Sequence, residues 1–157
     1  MVQKKVYTVH EILRKMEHYC AYQERCHQEV ENKLKEFRLI PEAREQILLQ
    51  LLENDFLNEE RFSKAFARGK FRIKKWGKQR IVRELKARNI SEYNINSALS
   101  EIAPDEYVSV FEETVLKKLD TITEKNRNKK RKMLTDYLLY RGWESNLVYA
   151  KVLELIP

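Results

Sequence analysis

The fold is decided between residues 55 and 90, which read DFLNEERFSKAFARGKFRIKKWGKQRIVRELKARNI. Asn58 followed by Glu59 and Glu60 is typical of a helix start, because the Asn side chain accepts a free backbone N–H and the carboxylates complement the helix dipole. An apolar face then recurs at helical spacing and comprises Phe62, Phe66, Gly69 and Ile73. The stretch therefore predicts an amphipathic helix.

The opposite face of this helix is predicted to carry positive charge. It comprises Lys64, Arg68, Arg72 and Lys75, and Phe71 falls among them. An exposed aromatic ring within a cationic surface suits an interface anchor or base stacking. Packing of Phe71 against a neighbouring repeat is an equally open alternative. After Trp76-Gly77 a second helix is predicted, with Ile81, Val82 and Leu85 inward and Arg80 and Arg83 outward.

The whole chain of 157 residues is predicted to be all-α. It has three Gly and three Pro, and no useful stretch alternates between apolar and polar residues. Start and stop signals indicate nine helices, and these signals are the capping box from Thr8 to Glu11, Pro41, Asn58, Ser91, Pro104 and Gly142. In the seventh helix we expect Val108, Phe111, Val115 and Leu119 to face inward.

The spacing of apolar residues also predicts three tandem three-helix repeats. Steps of 4, 5, 5 and 4 residues join Ile81, Leu85, Ile90, Ile95 and Leu99, and the same steps join Leu134, Leu138, Trp143, Val148 and Val152. The first third matches at Val30, Leu34 and Leu39 and resumes three residues late at Ile47, which predicts a longer loop near Pro41. We expect repeats at residues 1–57, 58–103 and 104–157.

The net charge of +7 is concentrated in two short blocks. Residues 68–88 carry ten basic side chains against one acidic one, and residues 125–132 carry six against none. Between them, residues 89–124 have a net charge of −6. Discrete basic blocks of this kind indicate contact with phosphate or with an acidic protein surface, although a solvated helix face is the alternative. The second block also places cations at the predicted start of a helix, where anions are favoured.

Several other classes of protein are disfavoured. No apolar run is long enough to span a membrane, and Met1 to Tyr7 lack the apolar core of a secretory signal. We therefore expect a cytoplasmic protein with Cys20 and Cys26 reduced. His18, Cys20, Cys26 and His27 match no zinc-ligand spacing, so we expect no metal. With glycines only at 69, 77 and 142 there is no phosphate-cradling loop, and no catalytic motif is present, so we expect no enzyme activity and no cofactor.

The residues that carry a family resemblance lie mainly in the middle of the chain. Residues 55–62, DFLNEERF, residues 75–81, KWGKQRI, and Glu84-Leu85 resemble the core signature of the bacterial RecX regulators of RecA. Lys132, Leu134, Leu138 and Arg141-Gly142-Trp143 are similar to that family's C-terminal repeat. The resemblance implies an elongated, curved helical array that lies in the groove of a RecA filament on DNA and modulates RecA recombinase and ATPase activity, and inhibition is the effect we expect.

These expectations define one candidate surface and two rival functions. The residues expected to contact RecA or DNA are Arg68, Lys70, Phe71, Arg72, Lys74, Lys75, Lys78, Arg80, Arg83, Lys129, Lys130, Arg131 and Lys132. The first rival is direct, sequence-nonspecific DNA binding through phosphate contacts. The second is a scaffold for another acidic protein. A repeat array with polar ends predicts a monomer.

Overall fold

The computed structural model describes residues 6–157, so the predicted start of the first repeat and most of the segment considered for a signal lie outside the described residues. Within 6–157 the chain forms nine α-helices and no strand. The helices are α1 (Val9–Tyr22), α2 (His27–Leu34), α3 (Pro41–Glu53), α4 (Glu59–Arg72), α5 (Lys78–Ala87), α6 (Glu92–Leu99), α7 (Pro104–Thr121), α8 (Arg127–Tyr140) and α9 (Ser145–Leu155). The all-α prediction is confirmed.

Local capping chemistry places the helix starts. The side chains of Thr8, Asn58, Ser91 and Asn126 each accept a hydrogen bond from the backbone N–H three residues on. Pro41 and Pro104 occupy first helical positions, where a missing N–H costs nothing. The ends of α5 and α8 share one device. Asn89 and Gly142 adopt positive φ. The N–H of the next residue, Ile90 or Trp143, donates to the backbone carbonyl of the residue five positions earlier.

The helices pack most closely within consecutive triples, α1 with α3, α4 with α5 and α6, and α8 with α7 and α9. Apolar side chains at the predicted repeat spacing are buried in all three triples, and only Leu39 and Leu99 stay half-exposed. The loop between α2 and α3 runs over residues 35–40, whereas the corresponding later loops cover 88–91 and 141–144. The surface of 10440 Å² exceeds the roughly 8,400 Å² of a compact 19.0 kDa monomer, as an elongated array requires.

Two separate apolar cores run through the array. One lies inside the first triple, around Met16, Val30 and Leu51. The other is continuous through the second and third triples, and Cys26 at the start of α2 belongs to it. We retain divisions at 57/58 and 103/104 as a proposal, because these positions precede α4 and α7.

The second and third triples are joined by a backbone contact between two glycines. Gly77 N–H donates to Arg141 O at 2.8 Å, and Gln79 N–H donates to Gly142 O at 3.0 Å. The free N–H groups at the start of α5 thus satisfy carbonyls at the end of α8. A Cβ on Gly77 would lie 2.4 Å from Gly142 O, and one on Gly142 would lie 2.3 Å from Arg80 Cβ. Gly142 also has φ +92°, so both positions require glycine.

The first triple is joined to the second mainly by polar contacts. Arg61 of the second triple donates to two carboxylates of the first, to Glu24 at 2.6 Å and to Asp55 Oδ2 at 2.9 Å, so one guanidinium connects the two triples. The backbone N–H of His27 donates to Glu59 at 3.1 Å. Charge-assisted bonds of this kind are directional, and they fix the angle of the junction more than its stability.

Substituting the two glycines of α4 and the α4–α5 loop gives opposite predictions. Gly77→Ala forces a Cβ into backbone that cannot move cheaply, so we expect the free energy of unfolding to fall by about 1–3 kcal/mol. Gly69→Ala places a methyl group in open space inside a helix, and we expect a gain of about 0.5–1 kcal/mol. Urea unfolding monitored by circular dichroism compares the two variants with the wild type. Equal effects would contradict the proposed close contact.

Candidate interaction surface

Helix α4 presents one half of the candidate surface. Lys64, Arg68 and Arg72 recur every four residues along it, so they share a face. Lys64 pairs with Glu60 at 3.3 Å and with Glu101 at 3.4 Å, and these bonds raise the pKa of the Lys64 ammonium. Arg72 pairs with Glu106 of α7 at 3.1 Å. Arg68 is exposed and forms no ion pair with any residue from 6 to 157. Its charge is therefore uncompensated.

The prediction that Phe71 lies exposed among these cations is wrong. Phe71 is 1% exposed, and its ring centroid lies 5.8 Å from that of Tyr107 and 6.5 Å from that of Trp143. The alternative, packing against a neighbouring repeat, is the one that holds. The predicted apolar face was misplaced because it included the bulky Phe66 and Ile73 and left out the small residues that are buried. The buried face of α4 comprises Phe62, Ser63, Ala67 and Phe71, and its small residues allow α6 to approach.

Two further apolar positions were assigned to the wrong face. Ile73 is the residue that ends α4, and it is 77% exposed. In α7, Val108 points outward, and Tyr107 is buried in its place. The Tyr107 hydroxyl donates to Glu144 at 2.6 Å and accepts the Lys78 N–H at 3.0 Å. Burial, with the bond to Glu144, raises the pKa of Tyr107, so it stays a neutral link between the second and third triples.

Three of the predicted cations are held by aromatic rings. The Lys70 Nζ lies 5.0 Å from the centre of the Trp76 ring, and the Lys78 Nζ lies 4.6 Å from that of Tyr107. The Arg80 guanidinium lies 4.1 Å from the Trp76 ring centre and 4.7 Å from that of Tyr140. The attraction between a cation and an aromatic ring is about 0.5–1 kcal/mol at an exposed site, and it orients the cation without neutralising its charge. These side chains are thus positioned without being neutralised.

Three further predicted contact residues of the first block lie at the surface. Lys74 and Arg83 are exposed, Lys75 is half-exposed, and none of the three forms an ion pair within the described residues. Lys75 adopts φ 58°, which turns the chain sharply between α4 and α5. The carbonyl of Lys74 accepts a short hydrogen bond from Arg141, which ties this turn to the end of α8. Arg141 was predicted as part of a repeat motif only, and its bridging role had no local signal in the sequence.

The four predicted contact residues of the second block divide into two pairs with different contacts. α8 begins at Arg127, and no acidic residue lies in its first turn, so Lys129 and Lys130 stand near its positive end as predicted. Neither forms an ion pair within residues 6–157. Arg131 instead donates to Ile156 O at 2.7 Å, and Lys132 pairs with Asp136 at 2.7 Å. Arg131 and Lys132 therefore make intramolecular contacts.

The two blocks do not meet. The end of α8 contacts the first block through Tyr140 and Arg141, while Lys129 and Lys130 lie at its beginning. A helix of 14 residues is about 21 Å long, so roughly that distance separates the blocks. We call the uncompensated and ring-held cations of the first block the central basic surface; they are Arg68, Lys70, Lys74, Lys75, Lys78, Arg80 and Arg83.

Neither cysteine is placed for chemistry. Both are free and buried, and burial raises the pKa of each thiol to about 11. Among the described residues no group of three or more His, Cys, Asp or Glu side chains could hold a metal ion. In the same part of the chain, no helix is long and apolar enough to cross a membrane.

The fold is a helical repeat whose second repeat carries exposed cations without ion pairs among the described residues. Residues 58–99 match the family model described as RecX, second three-helix domain. The chain is 27% identical over 130 residues to the regulatory protein RecX of Enterococcus faecalis, covering 83% of the chain and 49% of that protein. It is 30% identical over 90 residues to the same protein of Lactobacillus gasseri, covering 57% and 33%. The chain spans about half the length of the first two relatives.

Two solved structures share the fold. A crystal structure of regulatory protein RecX superposes with a TM-score of 0.81 at 21% identity, covering 93% of this chain and 73% of that one. RecX from Lactobacillus salivarius gives a TM-score of 0.78 at 18% identity, covering 94% and 96%. They confirm the predicted fold class of three tandem three-helix repeats. The predicted resemblance to the RecX family is also confirmed, most specifically in the second repeat.

The contrast between the buried Phe71 and the exposed Ile73 gives a direct prediction. Phe71→Ala removes a buried ring from the contact with Tyr107 and Trp143, so we expect the free energy of unfolding to fall by about 3–5 kcal/mol. Ile73→Ala changes an exposed side chain, and we expect a change below about 0.5 kcal/mol. Chemical denaturation of both variants measures the difference. A larger loss for Ile73→Ala would contradict the buried face described above.

The raised thiol pKa predicts slow modification of the native protein. At pH 8 a pKa of about 11 leaves roughly one thiol in a thousand ionised, and the thiolate is the reactive form. We expect a disulfide-exchange reagent such as DTNB to label both cysteines slowly in the folded protein and rapidly in denaturant. The reaction is followed by absorbance. Rapid labelling of the native protein would show that the thiols are accessible.

Proposed function

We propose that this chain is a non-enzymatic regulator that binds RecA filaments on DNA through the central basic surface and lowers RecA activity. The observation that carries the proposal is the presence of uncompensated cations on the second repeat, which backbone hydrogen bonds join to the third. The relatives are named regulatory proteins, and the family resemblance supplies RecA as the partner. In this proposal the chain acts as a monomer in the bacterial cytoplasm.

The charge arrangement supports a partner that presents a fixed pattern of negative charge. Lys70 and Arg80 are oriented by rings, and Arg68, Lys74 and Arg83 have no carboxylate to release before binding. Cations that are already oriented lose less conformational entropy when they bind. They also steer association with an acidic surface. A chain fixed across neighbouring RecA subunits would oppose the subunit motions of ATP hydrolysis, which is how we expect it to inhibit.

Direct binding to DNA is the second candidate. Lys129 and Lys130 stand at a helix start without carboxylate partners, an arrangement that favours phosphate. The burial of Phe71 removes the aromatic ring expected to stack on a base. Trp76 is already covered by Lys70 and Arg80. Contact of the central basic surface with DNA through Phe71 or Trp76 is therefore disfavoured, and its cations would contact the phosphate backbone.

RecA ATPase on single-stranded DNA tests the proposal. The wild type, added at substoichiometric amounts, is expected to suppress the ATPase. The variant Arg68→Ala, Lys74→Ala, Arg83→Ala is expected to need at least about tenfold more protein for half suppression, because three uncompensated charges are lost. Phe71 is left unchanged, since truncating it removes core packing.

A charge-matched control separates the surface from net charge. Lys35 and Lys117 are exposed, Arg44 is half-exposed, and none of the three forms an ion pair within the described residues. The variant Lys35→Ala, Arg44→Ala, Lys117→Ala is expected to suppress the ATPase like the wild type. Equal loss in both folded variants would argue against the central basic surface. No suppression by the wild type would argue against RecA as the partner.

A further inference from the structure

The first repeat contains a groove of about 1000 Å³ that takes no part in the central basic surface. Residues of α1 and α2 line it, together with Phe37 and Arg38 after α2. Its floor reaches Ile12 and Met16 of the first core, and Tyr22, which is 78% exposed, lies at its edge. Sites of this volume accept side chains and short peptide segments.

Among the described residues, three of the four tyrosine and phenylalanine rings that line the groove are already engaged by neighbouring side chains, and the fourth is the exposed Tyr22 at its edge. The Arg25 guanidinium lies 3.7 Å from the centre of the Tyr19 ring, and the Lys33 Nζ lies 5.6 Å from it. The rings of Tyr7 and Phe37 meet edge to face at 5.8 Å, and the Lys15 Nζ lies 4.5 Å from the Tyr7 ring centre. Base stacking needs an open ring face. The groove is therefore poorly suited to nucleobases, although it offers apolar surface.

The charge of the groove is strongly one-sided. Of the residues that the structure describes, five cations and one carboxylate line it, namely Arg14, Lys15, Arg25, Lys33, Arg38 and Glu36. Arg25 pairs with Glu29 at 3.6 Å, Lys33 pairs with Glu36 at 3.0 Å, and Arg14 lies 3.9 Å from Glu17. Lys15 and Arg38 form no ion pair among residues 6–157. Two uncompensated cations thus flank an apolar groove.

We propose that this groove binds an acidic peptide segment of a partner protein. An apolar side chain of the peptide is buried among the rings, and carboxylates on either side of it meet Lys15 and Arg38. The complementary charge selects an acidic segment, and the apolar floor selects one that also carries a large apolar residue. This site is independent of the proposed function, because it lies in a different repeat from the central basic surface.

Fluorescence anisotropy with defined peptides tests the site. The probe is a labelled peptide of about fifteen residues in which Leu and Phe recur at helical spacing among Asp and Glu. We expect saturable binding that weakens as salt rises. The variant Lys15→Glu, Arg38→Glu is expected to bind at least about tenfold more weakly. The charge-matched variant Lys117→Glu, Lys125→Glu, outside the first repeat, is expected to bind like the wild type.

Two further probes leave the protein unchanged, so they decide the outcome even if the groove variant fails to fold. A peptide with Ser in place of every Leu and Phe has the same charge and is expected to bind much more weakly. A single-stranded oligonucleotide is expected not to displace the acidic peptide. Absence of peptide binding, equal binding of the Ser peptide, or displacement by the oligonucleotide would each overturn the proposal.

Discussion

The close approach of Gly77 and Gly142 is the constraint on which the second and third repeats depend. Each glycine lies where any Cβ would meet backbone or the Cβ of Arg80, so the start of α5 can approach the end of α8 closely enough to donate backbone hydrogen bonds to it. The rings of Phe71, Tyr107 and Trp143 pack close together in the continuous core of these two repeats. The contact joins the start of α5 to the end of α8. It therefore also fixes the direction in which the basic side chains at the start of α5 project.

The basic residues of the second repeat fall into three groups, which differ in what each charged side chain contacts. Lys64, Arg72 and Arg88 pair with carboxylates, and the pairs of Lys64 with Glu101 and of Arg72 with Glu106 reach beyond α4. Lys70, Lys78 and Arg80 lie over aromatic rings, which set their direction and leave their charge. Arg68, Lys74 and Arg83 have neither. A lysine-rich helix in ordinary solvent gains from interspersed acids. Their scarcity here is more easily explained by an external acidic partner.

Much of the fold could be predicted from sequence because its determinants are local. Asn58, Ser91 and Gly142 mark helix ends through hydrogen bonds to residues three to five positions away. The position of Phe71 could not be predicted in the same way. Its burial depends on Tyr107 and Trp143, which lie 36 and 72 residues further along the chain. Arg131 is similar, because its acceptor, the carbonyl of Ile156, belongs to the end of another helix.

The most direct test of the central claim is co-sedimentation of the chain with RecA filaments assembled on single-stranded DNA, compared with the same DNA alone, over a range of salt. Fixed cations that match a protein surface are expected to retain binding to filaments at salt concentrations that release the chain from bare DNA, where counterion release dominates. Equal retention on filaments and on bare DNA at every salt concentration would contradict the account and favour simple phosphate binding.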